Sequence, residues 1–297
     1  MNRQEIINDL VRKSRSRIYS LVLSLSGCLL FPALLVLFDV TDSESRQLFR
    51  VTLRPSAANL VDGVEKMFGK ALREEKSQLG GNHGMARVDD DGTPAIILNP
   101  NSITEEEIVH ETFHLKMIGE GTPHIAYLAP RESLEAERGK LIWLFGQLRS
   151  PIQHWMFYPE MRSMGLRPDR NLDSEMQKAV AGRSDLRQLS GSLLQFHLTV
   201  MHARVFLESL NVGLRQEFVK WAEAQMEPES IKKAEQIVAY VKEIGPKSPT
   251  EEVQVFLQCL NYLYRGSASF SPEPWSYVMK GNFRHYTARF LFQPKMQ

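Results

Sequence analysis

The sequence predicts an α+β protein that is mostly helical, with a small sheet ahead of a long helical stretch. After Gly165-Leu166-Arg167-Pro168, apolar residues recur at helical spacing in segments broken at glycine and at Gly245-Pro246. Before that point, short aliphatic runs flank an Asp91-Gly92 turn, the pattern of strands in a sheet. At the N-terminus, Ile18 to Phe38 carries no charge. The expected organisation is a basic tail at 1–17, a transmembrane helix at 18–38, a core at 41–168 and a helical part of the same domain at 169–297.

The apolar run is about 20 residues, the length that crosses a hydrocarbon core of about 30 Å as a helix. Arg3, Arg12, Lys13, Arg15 and Arg17 precede it, and Asp39, Asp42 and Glu44 follow. That asymmetry puts the N-terminus in the cytoplasm and the remainder across the membrane. Leu25-Ser26-Gly27-Cys28 resembles a lipobox, but Leu29 to Phe38 stays apolar where a polar tether is expected. The competing reading is a buried strand–turn–strand in a soluble cytoplasmic protein.

Leu48 to Leu53 suits a first strand, and Asn59 to Glu75 an amphipathic helix through Leu60, Val64, Met67, Phe68 and Leu72. Met85 to Val88 and Thr93 to Asn99 form strands on either side of the acidic turn. The next helix opens with Thr104 and Glu107, a capping box in which the hydroxyl accepts an orphan N–H and the carboxylate reaches back to the cap. Gly119 and Gly121 offer its stop.

Inside that helix lies His110-Glu111-Thr112-Phe113-His114, an H-E-x-x-H run. Imidazoles four positions apart stand one above the other on a helix face and can share one tetrahedral metal. The intervening Glu111 can then take a proton from a water on that metal. Zn2+ suits imidazole and brings no redox chemistry.

A strand leading directly into an H-E-x-x-H helix resembles the zincin-type metallopeptidases, over Thr93 to Ile118. The resemblance implies a zincin-like core, zinc ligation by His110 and His114, Glu111 as general base, and a peptide or protein substrate. The metzincin extension is absent, since Leu115-Lys116-Met117-Ile118-Gly119-Glu120 follows the motif. An extended substrate would add a strand to an open sheet edge beside the metal helix.

A catalytic zinc needs a third protein ligand. His154, in the aromatic-rich Gln153-His154-Trp155-Met156-Phe157-Tyr158, ranks first, because a buried imidazole demands a polar partner or a metal. A core histidine bonded to a backbone carbonyl is the alternative for it. Glu135 ranks second, on the gluzincin pattern of a downstream glutamate, with Glu132 and Glu160 behind. Glu135 and Glu137 flank a stripe of Leu134, Leu141, Phe145 and Leu148, which also suits solvent-facing partners of Arg131, Arg138 and Lys140.

Further helices are expected at 173–181, 186–211, 215–225, 228–244 and 250–265. His197 and His202, five apart, point to different faces and read as ordinary helix residues. Tyr127, Tyr158 and Tyr286 are candidate oxyanion donors. The aromatic tail from Ser269 to Gln297 is expected to pack back on the domain.

The 297 residues are 43% hydrophobic and 24% charged, with a net charge of +1. No basic stripe interleaved with aromatics argues for nucleic acid as a partner. With two cysteines, one inside the apolar run, a zinc site built mainly from Cys is excluded. The sequence therefore predicts a membrane-anchored zinc metallopeptidase. The contrasting possibility is a membrane-tethered helical interaction protein with a fortuitous or vestigial motif.

Overall fold

Three short strands and two helices frame the motif. The computed structural model describes residues 45–79, 83–128, 135–182, 191–265 and 268–294. The expected tail at 1–17 and span at 18–38 lie outside the described residues, among which no helix is long and apolar enough to cross a membrane.

Strands β1 (Gln47–Leu48) and β2 (Val51–Thr52) pair antiparallel around Phe49 and Arg50, both at positive φ. The single strand expected over Leu48 to Leu53 is thus a tight hairpin, since two successive left-handed residues reverse the chain. Helix α1 (Pro55–Phe68) starts on a proline whose fixed φ suits the first turn. It buries Ala57, Val61 and Val64 at four- and three-residue spacing. It stops short of the expected Glu75, and Arg73–Lys76 forms β3 instead. β3 pairs parallel with β5 (Pro94–Leu98), and β4 (Gly84–Val88) pairs with β5 antiparallel, giving the order β3-β5-β4. Every residue of β5 is buried, as a central strand covered on both faces requires.

β5 leads into α2 (Glu105–Gly119), which carries the motif. Thr104 caps it, accepting from the Glu107 N–H at 3.2 Å. The second half of the expected capping box is not formed: the Glu107 carboxylate accepts from Asn171 Nδ2 instead. Glu105 joins α2 to the start of α1, accepting from the Arg54 N–H at 2.7 Å and from its Nε at 2.9 Å. β6 (His124–Leu128) follows.

Helix α3 (Glu135–Ser163) runs unbroken through Pro151 and Pro159. Its Phe145, Leu148 and Ile152 join a core built with α5 (Gly191–Glu208), α7 (Pro228–Ile244) and α8 (Pro249–Leu263). A separate cluster joins α4 (Arg170–Val180), α5 and α6 (Val212–Glu223) through Met176, Leu198, Val205 and Phe218. The residues 183–190, where the helix expected from 186 would begin, lie outside the described residues.

The part expected to be helical at 169–297 ends in strands, which the helices expected up to 265 did not include. β7 (Ala268–Pro272), β8 (Ser276–Lys280) and β9 (Phe283–Pro294) form a sheet with β6. β9 lies parallel to β6 and antiparallel to β7 and β8. Its Ala288 and Phe290 are buried while Arg289 is exposed, the period of a half-buried strand. The β8–β9 turn docks on the β4–β5 turn: Lys280 Nζ donates to Val88 O at 2.7 Å, and the Gly281 N–H to Asp90 O at 3.1 Å. Gly281, at φ 57°, sits so close to the Asp91 carbonyl that any Cβ would collide with it.

Candidate metal centre

α2 turns one face to a cleft of about 1570 Å³ whose other walls are β4, α3, α4 and α5. On that face Nε2 of His110 and Nε2 of His114 stand 3.1 Å apart. Two nitrogens on a tetrahedral zinc, at bonds of about 2.05 Å, are separated by about 3.3 Å. The third imidazole comes from α3: the His154 ring centroid lies 4.7 Å from that of His110 and 5.7 Å from that of His114. One nitrogen from each of the three lies within 4.8 Å of the others.

His110 and His114 are half-buried and His154 is buried. Burial pushes all three down, His110 and His154 well below the usual imidazole range and His114 to about 3. Neighbouring imidazoles press further on His110 and His114, and Arg204 on His154. All three therefore stay neutral at physiological pH, the form that offers a lone pair. Phe157 meets His114 edge-on at 5.1 Å, and Tyr158 stacks on His154 at 4.4 Å.

The α3 backbone brings His154 to α5, where its Nδ1 lies 2.7 Å from Glu208 Oε1. Glu208 is held in turn by Arg204 Nε at 2.9 Å, and its backbone carbonyl by Arg162 at 2.7 Å. A proton on Nδ1 shared with that carboxylate leaves Nε2 with its lone pair. Ser150 Oγ, 3.1 Å from Nε2, is the competing partner.

Glu111 is buried against β4. Burial and then the charge of Glu107 push its carboxyl up to about 8, opposed by the backbone of Ala86. Gly84 makes room for it: a Cβ there would stand 2.7 Å from Glu111 Oε1 and 2.8 Å from Leu98 Cδ2. One turn earlier, Glu107 is pushed up to about 7 by burial, opposed by its bond to Asn171.

Of the other candidates for a third ligand, Glu160 pairs with Lys116 at 3.4 Å and stands outside the cluster. Glu132 and the Glu135 side chain lie outside the described residues. Tyr158 lines the cleft, Tyr286 packs near Trp275 and Tyr277, and the Tyr127 side chain lies outside the description. His197 is buried on the cleft wall, and His202 faces Glu223 at 3.6 Å.

Three nitrogen donors with a carboxylate behind one of them fit a catalytic zinc, which takes three protein ligands and keeps a position open. Glu208, Asn171 and Gly84 escaped sequence reasoning. A signal for Glu208 existed: Arg204 and Glu208, four apart, are the charged residues of the otherwise uncharged helix α5. No protein-family model, curated protein or solved structure matches the chain.

Proposed function

We propose that the chain is a zinc-dependent metallopeptidase, anchored to a membrane by residues 18–38. The observation that carries this reading is the convergence of His110, His114 and His154 beside a buried glutamate in one cleft. The zincin-like assignment of the core draws support from β5 running directly into the motif helix and from β4 lying antiparallel at the sheet edge.

A zinc ion held by the three imidazoles would supply Lewis acidity, lowering the pKa of water toward about 7 and polarising the scissile carbonyl. With that cation's charge holding its carboxyl ionised, Glu111 would accept the proton that the attacking water loses and pass it to the amine nitrogen as the C–N bond breaks. The space at Gly84 lets its carboxylate lie where it does. Tyr158 offers a donor to the oxygen of the carbonyl under attack, because burial and Glu208 raise its phenol well above the ordinary value and keep its proton in place. The edge of β4 gives an extended peptide a backbone to pair with.

The test is metal content and cleavage together. The full-length chain, purified without added metal, is expected to hold about one zinc per chain and to cut an unfolded protein substrate. Zinc should fall sharply in His114→Ala and in His154→Ala, and cleavage should disappear in Glu111→Gln with zinc retained. A folded chain that neither retains nor takes up zinc removes the enzyme reading and favours the tethered interaction protein.

A further inference from the structure

The lining of the cleft around the metal centre changes along α2. Around the N-terminal half of α2 carboxylates and cations are mixed: Glu106, Glu107, Glu111 and Glu175 stand with Arg170, Lys178 and Arg204, and Arg204 reaches Glu175 at 3.1 Å. Beyond the C-terminal end of α2 the lining changes to donors: Thr122, His124, Arg149, Lys280 and His285. Arg149 acts electrostatically on His114 and His124, and Lys280 on His124 and His285. The rings of His124 and His285 lie 6.4 Å apart. Among the described lining residues no carboxylate belongs to this end; the exposed Asp90, outside the lining, pairs with Lys280 Nζ at 3.4 Å.

Two of these groups are prepared for a partner that the protein does not supply. The Thr122 hydroxyl is buried, the residue being 4% exposed, and has no hydrogen-bond partner among the described residues. A polar atom left so is costly unless a ligand or water satisfies it. Arg149 is clamped on one flank, Nε and Nη2 reaching the buried Glu252 at 2.7 and 2.8 Å and Nη2 also reaching Pro123 O at 2.9 Å. That clamp fixes the guanidinium plane and leaves Nη1 without a protein partner among the described residues. Lys280 closes the same end, because it already occupies the Val88 carbonyl where the edge of β4 would otherwise continue.

We propose that this end of the cleft is a carboxylate-binding subsite, so that the substrate is a peptide held by a carboxylate on one side of the metal centre. The peptide nature of the ligand rests on the metallopeptidase reading; the donor set does not. A carboxylate presents about four acceptor positions and no donor, which matches the Thr122 hydroxyl, Arg149 Nη1 and the Lys280 ammonium. The carboxylate is either the C-terminus of the peptide or an acidic side chain.

The test uses the full-length, zinc-loaded Glu111→Gln chain, which holds peptides uncut, and two pairs of hexapeptides measured by titration calorimetry. One pair differs only in a free or amidated C-terminus, the other only in one Glu or Gln. In one pair the carboxylate member is expected to bind about ten- to a hundredfold tighter, and that pair names the source. The ratio should fall toward 1 when Thr122→Val or Lys280→Met is added with zinc content unchanged. Equal affinities within both pairs, or a preference that survives both substitutions, would overturn the subsite. A preference without any cleavage by the unsubstituted chain keeps the subsite and removes the peptidase. Cleavage of both members at equal kcat/KM does the reverse.

Discussion

Nδ1 of His154 and Oε1 of Glu208 stand 2.7 Å apart, joining the third imidazole of the cluster to a fully buried carboxylate 54 positions later. This link fixes which ring nitrogen is left for a metal. Glu208→Gln keeps the shape but loses the charge, and is expected to weaken zinc binding about 10–100-fold, read by competition with a chromophoric chelator. Glu208→Ala should also destabilise the fold by about 3–5 kcal/mol, because Arg204 loses a buried ion-pair partner. Unchanged zinc affinity in Glu208→Gln would reduce the pair to a packing contact.

The contact between Gly84 and Glu111 gives a separable prediction. A methyl at residue 84 displaces the Glu111 carboxylate without touching an imidazole. Gly84→Ala should therefore retain zinc while kcat/KM falls about 10²-fold, the usual result of misplacing a catalytic group by about 1 Å. Metal analysis and peptidase kinetics on the same preparation check it.

The buried Glu111 carboxyl makes the metal-free chain sensitive to pH. Its proton is held up to about 8 when folded, against 4.5 as the ordinary value. Between those limits the folded chain binds more protons than the unfolded one, so stability falls as pH rises. Glu111→Gln removes that loss. In chelator, the variant should match the parent in Tm near pH 4.5 and exceed it by about 10 °C at pH 8, on the order of 4 kcal/mol. An equal difference at both pH values would show that the carboxyl titrates normally.

At the β8–β9 turn, Gly281 meets the Asp91 carbonyl in a left-handed conformation. Gly281→Ala strains the backbone and forces the two turns apart, for about 1–2 kcal/mol. Hydrogen exchange should quicken at Gly281 and along β4 while the helices around Phe256 stay protected. Uniform quickening across the chain would contradict a local lock.

The motif helix was legible because its signals are local: a capping threonine, an acidic first turn and imidazoles at helical spacing lie within fifteen residues. His154 was legible by contrast, as a titratable group in an aromatic stretch. Its carboxylate partner was not, because Glu208 and His154 meet only when α3 packs on α5, and no periodicity encodes that crossing. β3 was read as helix because Arg73-Glu74-Glu75-Lys76 alternates no apolar residue; pairing with the buried β5 overrides its propensity. The C-terminal strands hid behind exposed Tyr277, Val278 and Met279, which break the in–out pattern of a covered sheet. The Gly281-Asn282 turn was the available clue.

The separation between Lys280 and the Val88 carbonyl it binds is 192 positions. During synthesis the motif helix leaves the ribosome long before the wall that closes its cleft, and contacts of such long range form late. A growing chain thus carries its two motif histidines well ahead of Glu208 and further still ahead of Lys280. Assembly of the three-imidazole cluster is tied to synthesis through α5: a product that stops short of it displays the motif without the buried carboxylate that holds His154.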